Sequence, residues 1–320
     1  MRTQKQTNYI NNMKLKKEMI GIVAGAAMFT SSAHAEIPLT DDLSAYGYID
    51  TFYDDLDGED NLEGGVAEFE LGFAFTPVES KWSAVAELSF RNGRTVDAED
   101  DSGDTVSVPD ELDFETVTVT YAYSDELSFT LGNILSYQGF ETYDATGLYQ
   151  YSYLGNQAPV YSAAYAYGAS ADYVTDAYAF GAWIGESDDS ASLEFLAAFT
   201  GVEDLTVKFI YADDPGYETY NLWASYDIDA FTFAVEYVDT ENLDGSELEA
   251  YMALVYYSFG DAGLTVRYSD VDYDGTDYEK WTISPSYSFS DNVFGLLEAS
   301  FVEFGDESST ELAAELIYSF

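Results

Sequence analysis

The chain has 320 residues, with 11 Lys+Arg against 60 Asp+Glu, a single His, no Cys, and 29 Tyr, 21 Phe and 4 Trp. Such acidity excludes a nucleic-acid partner, whose phosphates need Lys and Arg, and the aromatic content excludes the disorder that high net charge would otherwise suggest. Without Cys there is no disulfide framework or thiolate metal site, and the one histidine, His34, falls in the leader segment, so the rest of the chain cannot run Ser-His-Asp or Cys-His chemistry.

Lys14, Lys16 and Lys17 precede an apolar run from Met19 to Phe29, and Ala33-His34-Ala35 follows. A basic start, a short apolar middle and an A-x-A site define a secretory signal. Cleavage is expected after Ala35, giving a signal peptide over 1–35 and a single domain over 36–320. The apolar run is shorter than the ~20 residues a membrane-spanning helix needs. Membrane residence must then come from strands, because only helices and closed barrels satisfy every backbone group in lipid.

From Ser44 onward, runs of about ten residues alternate apolar or aromatic with small or polar side chains, the dyad pattern of transmembrane barrel strands. Strands are predicted over 44–53, 65–76, 81–91, 113–123, 126–134, 160–174, 177–186, 190–200, 204–212, 217–226, 230–239, 247–259, 263–272, 276–289, 292–304 and 309–320, sixteen in all. With the N-terminus periplasmic, every even-numbered strand before the last ends in a tight turn, such as Ser124-Asp125, Thr175-Asp176 or Ser290-Asp291. Connections on the other side include the longer 54–64, 92–112 and 135–159. Short periplasmic turns opposite long outer loops, with an even strand number, are the asymmetry of outer-membrane barrels. A soluble sandwich has no reason to sort its connections by parity.

Alternation also assigns faces, since successive strand residues point to opposite sides. Phe69, Leu71, Phe73 and Phe75 suit lipid, while Glu68, Glu70, Gly72 and Ala74 suit water. Strand 247–259 is apolar on both faces, and its orientation stays open. The last strand carries an assembly signal, Leu316, Tyr318 and the terminal Phe320, on a stripe that includes Leu312 and Ala314. This stripe resembles the C-terminal strand by which barrel-assembly machinery recognises its clients, and pairing with 44–53 would remove an exposed edge. The expected fold is all-β, a closed antiparallel transmembrane β-barrel of about 16 strands.

Lys81, Arg91, Lys208, Arg267 and Lys280 fall on the polar face by alternation, and Arg94 falls in a loop. A lone cation facing mid-membrane lipid costs about 2–4 kcal/mol, so these residues belong in the lumen. Glu87, Glu236 and Glu298 share that face with Glu68, Glu70, Glu194, Glu311 and Glu315. Together they are candidate pore-lining residues that sort solutes by charge; structural ion pairing is the alternative. Loop 135–159 exceeds the ~12–15 residues beyond which an irregular loop calls for a function. As the third outer connection it is read as a constriction loop presenting Glu141, Tyr143, Asp144 and Tyr149 to the lumen, against an outer flap packed on the rim. The acidic stretches 54–60 and 97–101 could hold Ca²⁺ through carboxylates, though neither has the EF-hand spacing, and solvated charge is the default.

Between 127 and 173 the sequence Leu131-Gly132-Asn133, Gly139-Phe140-Glu141, Tyr151-Ser152-Tyr153 and Pro159-Val160-Tyr161 resembles the OmpL-like β-barrel porin family. The opening Tyr46-Gly47-Tyr48-Ile49-Asp50 is similar to that family's first strand. A basic residue often follows the strand-ending glycine in those proteins; Asn133 stands there in this chain. The resemblance implies a passive channel without enzymatic activity or cofactor. The outer connections carry many acids, among them Asp54, Asp57, Asp97, Asp101, Glu141 and Asp144, against Arg94 alone, so cations should concentrate at the mouth. The reading is therefore a cation-preferring diffusion pore for small hydrophilic solutes, set in outer-membrane lipid, delivered by the barrel-assembly machinery and compatible with a homotrimer. Two alternatives stay open: a structural or surface-binding barrel with a plugged lumen, and an enzyme working with carboxylates alone.

Overall fold

The computed structural model describes residues 36–55, 63–91, 95–99, 105–107, 111–141, 144–152, 165–187, 190–243, 245–305 and 307–320; the expected signal segment 1–35 lies outside them. Sixteen strands form one closed antiparallel barrel. They are β1 (Leu43–Asp55), β2 (Glu63–Phe75), β3 (Trp82–Arg91), β4 (Glu111–Ala122), β5 (Leu127–Leu135), β6 (Tyr165–Val174), β7 (Tyr178–Ser187), β8 (Ser190–Val202), β9 (Leu205–Asp214), β10 (Tyr217–Ile228), β11 (Phe231–Asn242), β12 (Glu247–Phe259), β13 (Ala262–Tyr273), β14 (Thr276–Ser290), β15 (Val293–Phe304) and β16 (Glu307–Ser319). Each corresponds to one run in the sequence. Two small additions were not anticipated: Ile37–Pro38 pairs with the start of β1, and Thr95–Glu99 pairs with Thr105–Ser107 as a separate hairpin within the second long connection.

The tight turns work because Asp tolerates the left-handed region better than most residues: Asp204 and Asp229 take it with φ of 62° and 55°. Both β1 and β16 meet at that end of the barrel. They pair from Leu312↔Asp55 to Ser319↔Tyr48, and beyond them Gly47 and Phe320 exchange two backbone hydrogen bonds of 2.9 Å each. Closure leaves no edge strand between first and last. Because Phe320 supplies the final rung, its deletion should lower the yield of folded barrel severalfold; heat-modifiable migration on gels measures this, and an undiminished yield would remove the last residue from the closure.

Faces follow the alternation. On β2, Glu68 and Glu70 are buried inside while Phe73 and Phe75 are exposed outside. The open case, β12, is settled by its surroundings. Leu248, Ala250, Met252 and Leu254 point inward, packing with Val238 and Val271 and, further along, with Phe140 and Tyr149. Tyr251, Val255, Tyr257 and Phe259 face outward.

Outward aromatics form two rows. Near the tight turns, Trp82 meets Tyr121 at 4.7 Å and Phe231 meets Tyr257 at 4.5 Å between ring centres. Toward the other end, Tyr237 meets Tyr251 at 4.9 Å and Tyr268 meets Trp281 at 4.8 Å. Tyr251 and Tyr257, one from each row, are six residues apart on β12, ~20 Å along a strand, which suits the apolar band of such barrels. Beyond the upper row the phenols of Tyr237 and Tyr268 donate to Glu249 (2.7 Å) and Asp270 (3.1 Å). Ionised carboxylates are costly in hydrocarbon, so they mark where the apolar band ends.

Candidate functional site: the lumen and its inserted loop

After β5 ends at Leu135 the chain turns into the barrel instead of outward, and the reason is visible in its backbone donors. Ser136 donates its hydroxyl to Glu194 Oε1 and Tyr137 its N–H to Glu194 Oε2, both at 2.7 Å. The Gly139 N–H reaches Asn221 Oδ1 at 2.9 Å, and the Phe140 N–H reaches Glu236 Oε1 at 2.9 Å. Asn221 in turn donates to that same Glu236 oxygen at 2.8 Å. The loop thus exchanges its hydrogen bonds with β8, β10 and β11 in succession. Charge-assisted bonds to carboxylates are the strong class.

The loop continues past β13. Arg267 pairs with Glu141 in a fully enclosed ion pair, and Gln150 Nε2 donates to the same Glu141 oxygen at 2.6 Å. The Tyr149 carbonyl accepts from Thr265 at 2.9 Å, and its ring lies 5.1 Å from that of Tyr256. Glu298 on β15 accepts the N–H groups of Tyr151 and Ser152 at 2.8 and 2.9 Å and the Ser152 hydroxyl at 2.5 Å. Lys280 donates to Ser152 Oγ at 2.7 Å and to Glu311 at 2.8 Å, 4.0 Å from Glu298. Finally the Tyr151 hydroxyl donates to Asp54 at 2.7 Å. Asp54, counted in sequence with an acidic loop, belongs to β1.

Of the candidate lumen residues, Glu87, Lys208, Glu236, Arg267, Lys280 and Glu298 are buried on the inner face, and Arg91 is half-exposed beside Glu68 and Glu115. Glu87 accepts a hydrogen bond from Tyr46 at 2.5 Å. Lys208 stands over the Trp223 ring, 4.6 Å from its centre. Lys81 does not line the lumen: it precedes β3, is exposed, donates to the Tyr123 carbonyl at 2.8 Å and lies 5.9 Å from the Tyr121 ring centre. Alternation carried past the strand's end misplaced it. Of the loop candidates, Glu141, Asp144 and Tyr149 lie inside the barrel, and Tyr143 lies outside the described residues, as does Arg94. The stretch 56–60 is likewise outside them, and the Asp97–Asp101 acids carry no described side chains.

Sequence reading missed Asn221, Tyr137, Tyr151 and Ser152, for which parity alone gave a signal only at Asn221. It also missed Glu115. The pairing of β3 with β4 shifts between Ala86↔Val117 and Leu88↔Phe114, and such a bulge re-aims a side chain, turning Glu115 inward against simple alternation. Burial and the Asp172 carboxylate, 2.5 Å from its oxygen, push the Tyr137 hydroxyl well up. Burial pushes the Tyr149 hydroxyl up as well. Asp144 is held well above the ordinary carboxylate range, first by burial and then by the charges of Glu115, Glu87 and Glu68.

No family model and no curated protein matches this chain. Among solved structures it is similar to outer-membrane-expressed OmpT of Vibrio cholerae, with a TM-score of 0.65 at 13% identity over 89% of this chain and 100% of that one. It is similar to the anion-selective porin from Comamonas acidovorans, with a TM-score of 0.65 at 14% identity over 87% and 99% of the two chains. It is also similar to a multiply substituted porin of Rh. blastica, with a TM-score of 0.63 at 15% identity over 87% and 100%. At these identities the likeness is one of fold.

Proposed function

We propose that this chain is an outer-membrane porin, a passive, non-enzymatic diffusion channel for small hydrophilic solutes that needs no cofactor. The observation that carries the reading is the third outer connection, folded into a closed sixteen-strand barrel and tied to Glu194, Asn221, Glu236 and Glu298. Barrels of ~16 strands are wide enough to hold water inside, and a loop fixed across such a lumen narrows it. The porin folds of the solved neighbours support this reading, as does the OmpL-like pattern over 127–173. On the same reading residues 1–35 are a cleaved signal, barrel-assembly machinery recognises Leu316, Tyr318 and Phe320, and the apolar band meets outer-membrane lipid. A homotrimer is compatible with it; a trimer form is recorded for OmpT of Vibrio cholerae. Discrete single-channel steps from the refolded protein in a planar bilayer are the expected result, and a barrel that inserts without conducting would refute it.

Cation preference belongs to the same proposal. Since an anion-selective porin shares the fold, the sign must come from side chains. Among the described residues thirteen buried carboxylates face the buried bases Lys208, Arg267 and Lys280. Like-signed walls raise the local concentration of counter-ions. Across a KCl gradient the reversal potential should have the cation sign and shrink as salt rises, because screening shortens from about 8 Å at ~0.15 M to about 3 Å at 1 M. An anion sign would overturn the assignment.

One observation favours the second reading, a barrel plugged for a structural or surface-binding role: Arg267, Lys280, Glu194 and Thr265 are each at most 2% exposed. The conductance measurement separates the two.

A further inference from the structure

We infer that Glu70, Glu115 and Asp144 form a binding site for a hard divalent cation, calcium in particular, which ties the inserted loop to the barrel wall. The three carboxylates come from β2, β4 and the loop, and one oxygen from each lies within 4.8 Å of the others. Calcium–oxygen distances are about 2.3–2.6 Å, so a single ion can touch all three. The ligand type selects the metal class, because carboxylate oxygen suits calcium and magnesium and not the softer ions that prefer imidazole or thiolate. The site is distinct from the exposed acidic stretches at 54–60 and 97–101.

A second observation points to a missing positive partner. Glu115 Oε2 and Glu68 Oε2 are enclosed and have no hydrogen-bond partner among the described residues, the other oxygen of each being paired with Arg91. Glu70, 2% exposed, is buried beside them. Arg91 is the one basic side chain that contacts this group among the described residues, and it serves Glu68 and Glu115. With Glu87 alongside, five carboxylates thus share one guanidinium. Buried acceptors without donors and buried like charges are both costly. A doubly charged ion relieves both costs at once, and more flexible calcium geometry fits three ligands from separate elements better than magnesium's strict octahedron. A cavity of about 790 Å³, lined by Ser89, Arg91, Glu115, Asn133 and Tyr165, borders Glu115 and offers a path.

The test uses the refolded full-length chain, freed of metal by chelation and titrated with CaCl₂ by calorimetry in ~0.3 M KCl, where screening suppresses diffuse uptake by surface acids. One saturable site per chain is expected. The Glu70→Gln/Glu115→Gln variant should bind at least about tenfold more weakly, since calcium affinity follows the number of charged ligands, while Asp97→Asn/Asp101→Asn should bind as the parent does. Calcium should also protect residues 136–152 from proteolysis in the parent and not in the Glu70→Gln/Glu115→Gln variant. If that variant does not fold, Asp144→Asn, which lies outside the strand ladder, replaces it with the same readouts. No saturable uptake by the parent at millimolar CaCl₂, or equal affinity in parent and site variants, overturns the assignment. Conductance measured in chelator tests the pore separately, so failure of one reading does not entail failure of the other.

Discussion

Replacing Arg267 with methionine should release the middle of the inserted loop while leaving the barrel closed. Arg267 and Glu141 are both almost wholly enclosed, at 2% and 3% side-chain exposure. Truncating one member of a buried ion pair strands the other charge, at about 3–5 kcal/mol. The barrel ladder does not depend on the pair, because β12, β13 and β14 are joined through backbone registers that run the length of β13. The loss should therefore fall on the loop. Expected readouts are heat-modifiable migration like the parent's, new protease cuts within 136–152, and a larger single-channel conductance. Arg267→Met combined with Glu141→Gln should recover protection, since removing both charges of a buried pair costs far less than removing one. Unchanged conductance and protection in Arg267→Met would assign the loop's position to Glu194, Glu236 and Glu298 alone.

Gly132→Ala should be the most damaging small substitution in the barrel wall. Gly132 has φ of +141°, and a Cβ there would overlap the Val117 carbonyl oxygen and the Thr118 Cα. That conformation is essentially confined to glycine, and forcing another residue into it costs on the order of 1–3 kcal/mol before any steric overlap is counted. The position pairs with Thr118 one rung before the β4–β5 ladder ends at Val117↔Asn133. There Asn133 donates to the Phe114 and Glu115 carbonyls at 3.2 and 2.5 Å. Strain at Gly132 therefore reaches both the bulge that aims Glu115 inward and the point where the loop enters the lumen. The refolded fraction should drop severalfold and the unfolding temperature should fall. Gly216→Ala serves as a control, because a Cβ there meets nothing nearer than Asp214 at 3.6 Å. Equal yields for the two variants would show that the wall relaxes around the added methyl.

The sixteen strands, their order and most of their faces were legible in the sequence because their cause is local. Successive strand side chains point to opposite sides, so Phe69 to Phe75 already separated a lipid face from the face of Glu68 and Glu70. Turn chemistry is equally local, and Asp204 and Asp229 sit where acids marked the strand ends. Where that local rule has no purchase, the tertiary structure decided. The inward face of β12 depends on Val238, Val271, Phe140 and Tyr149, which reach Leu248 through Leu254 only once the barrel closes. One inserted residue on β4 reversed the parity that would have kept Glu115 out of the lumen, and one position beyond the end of β3 placed Lys81 at the rim. The loop's path lies furthest from the sequence. Glu141 and Arg267 are 126 residues apart in the chain, and Ser152 and Glu298 are 146 apart. No periodicity relates residues at such separations: the first pair is joined by a buried carboxylate's need for a cation and the second by buried loop donors' need for a carboxylate acceptor, partners that only the folded wall brings within reach.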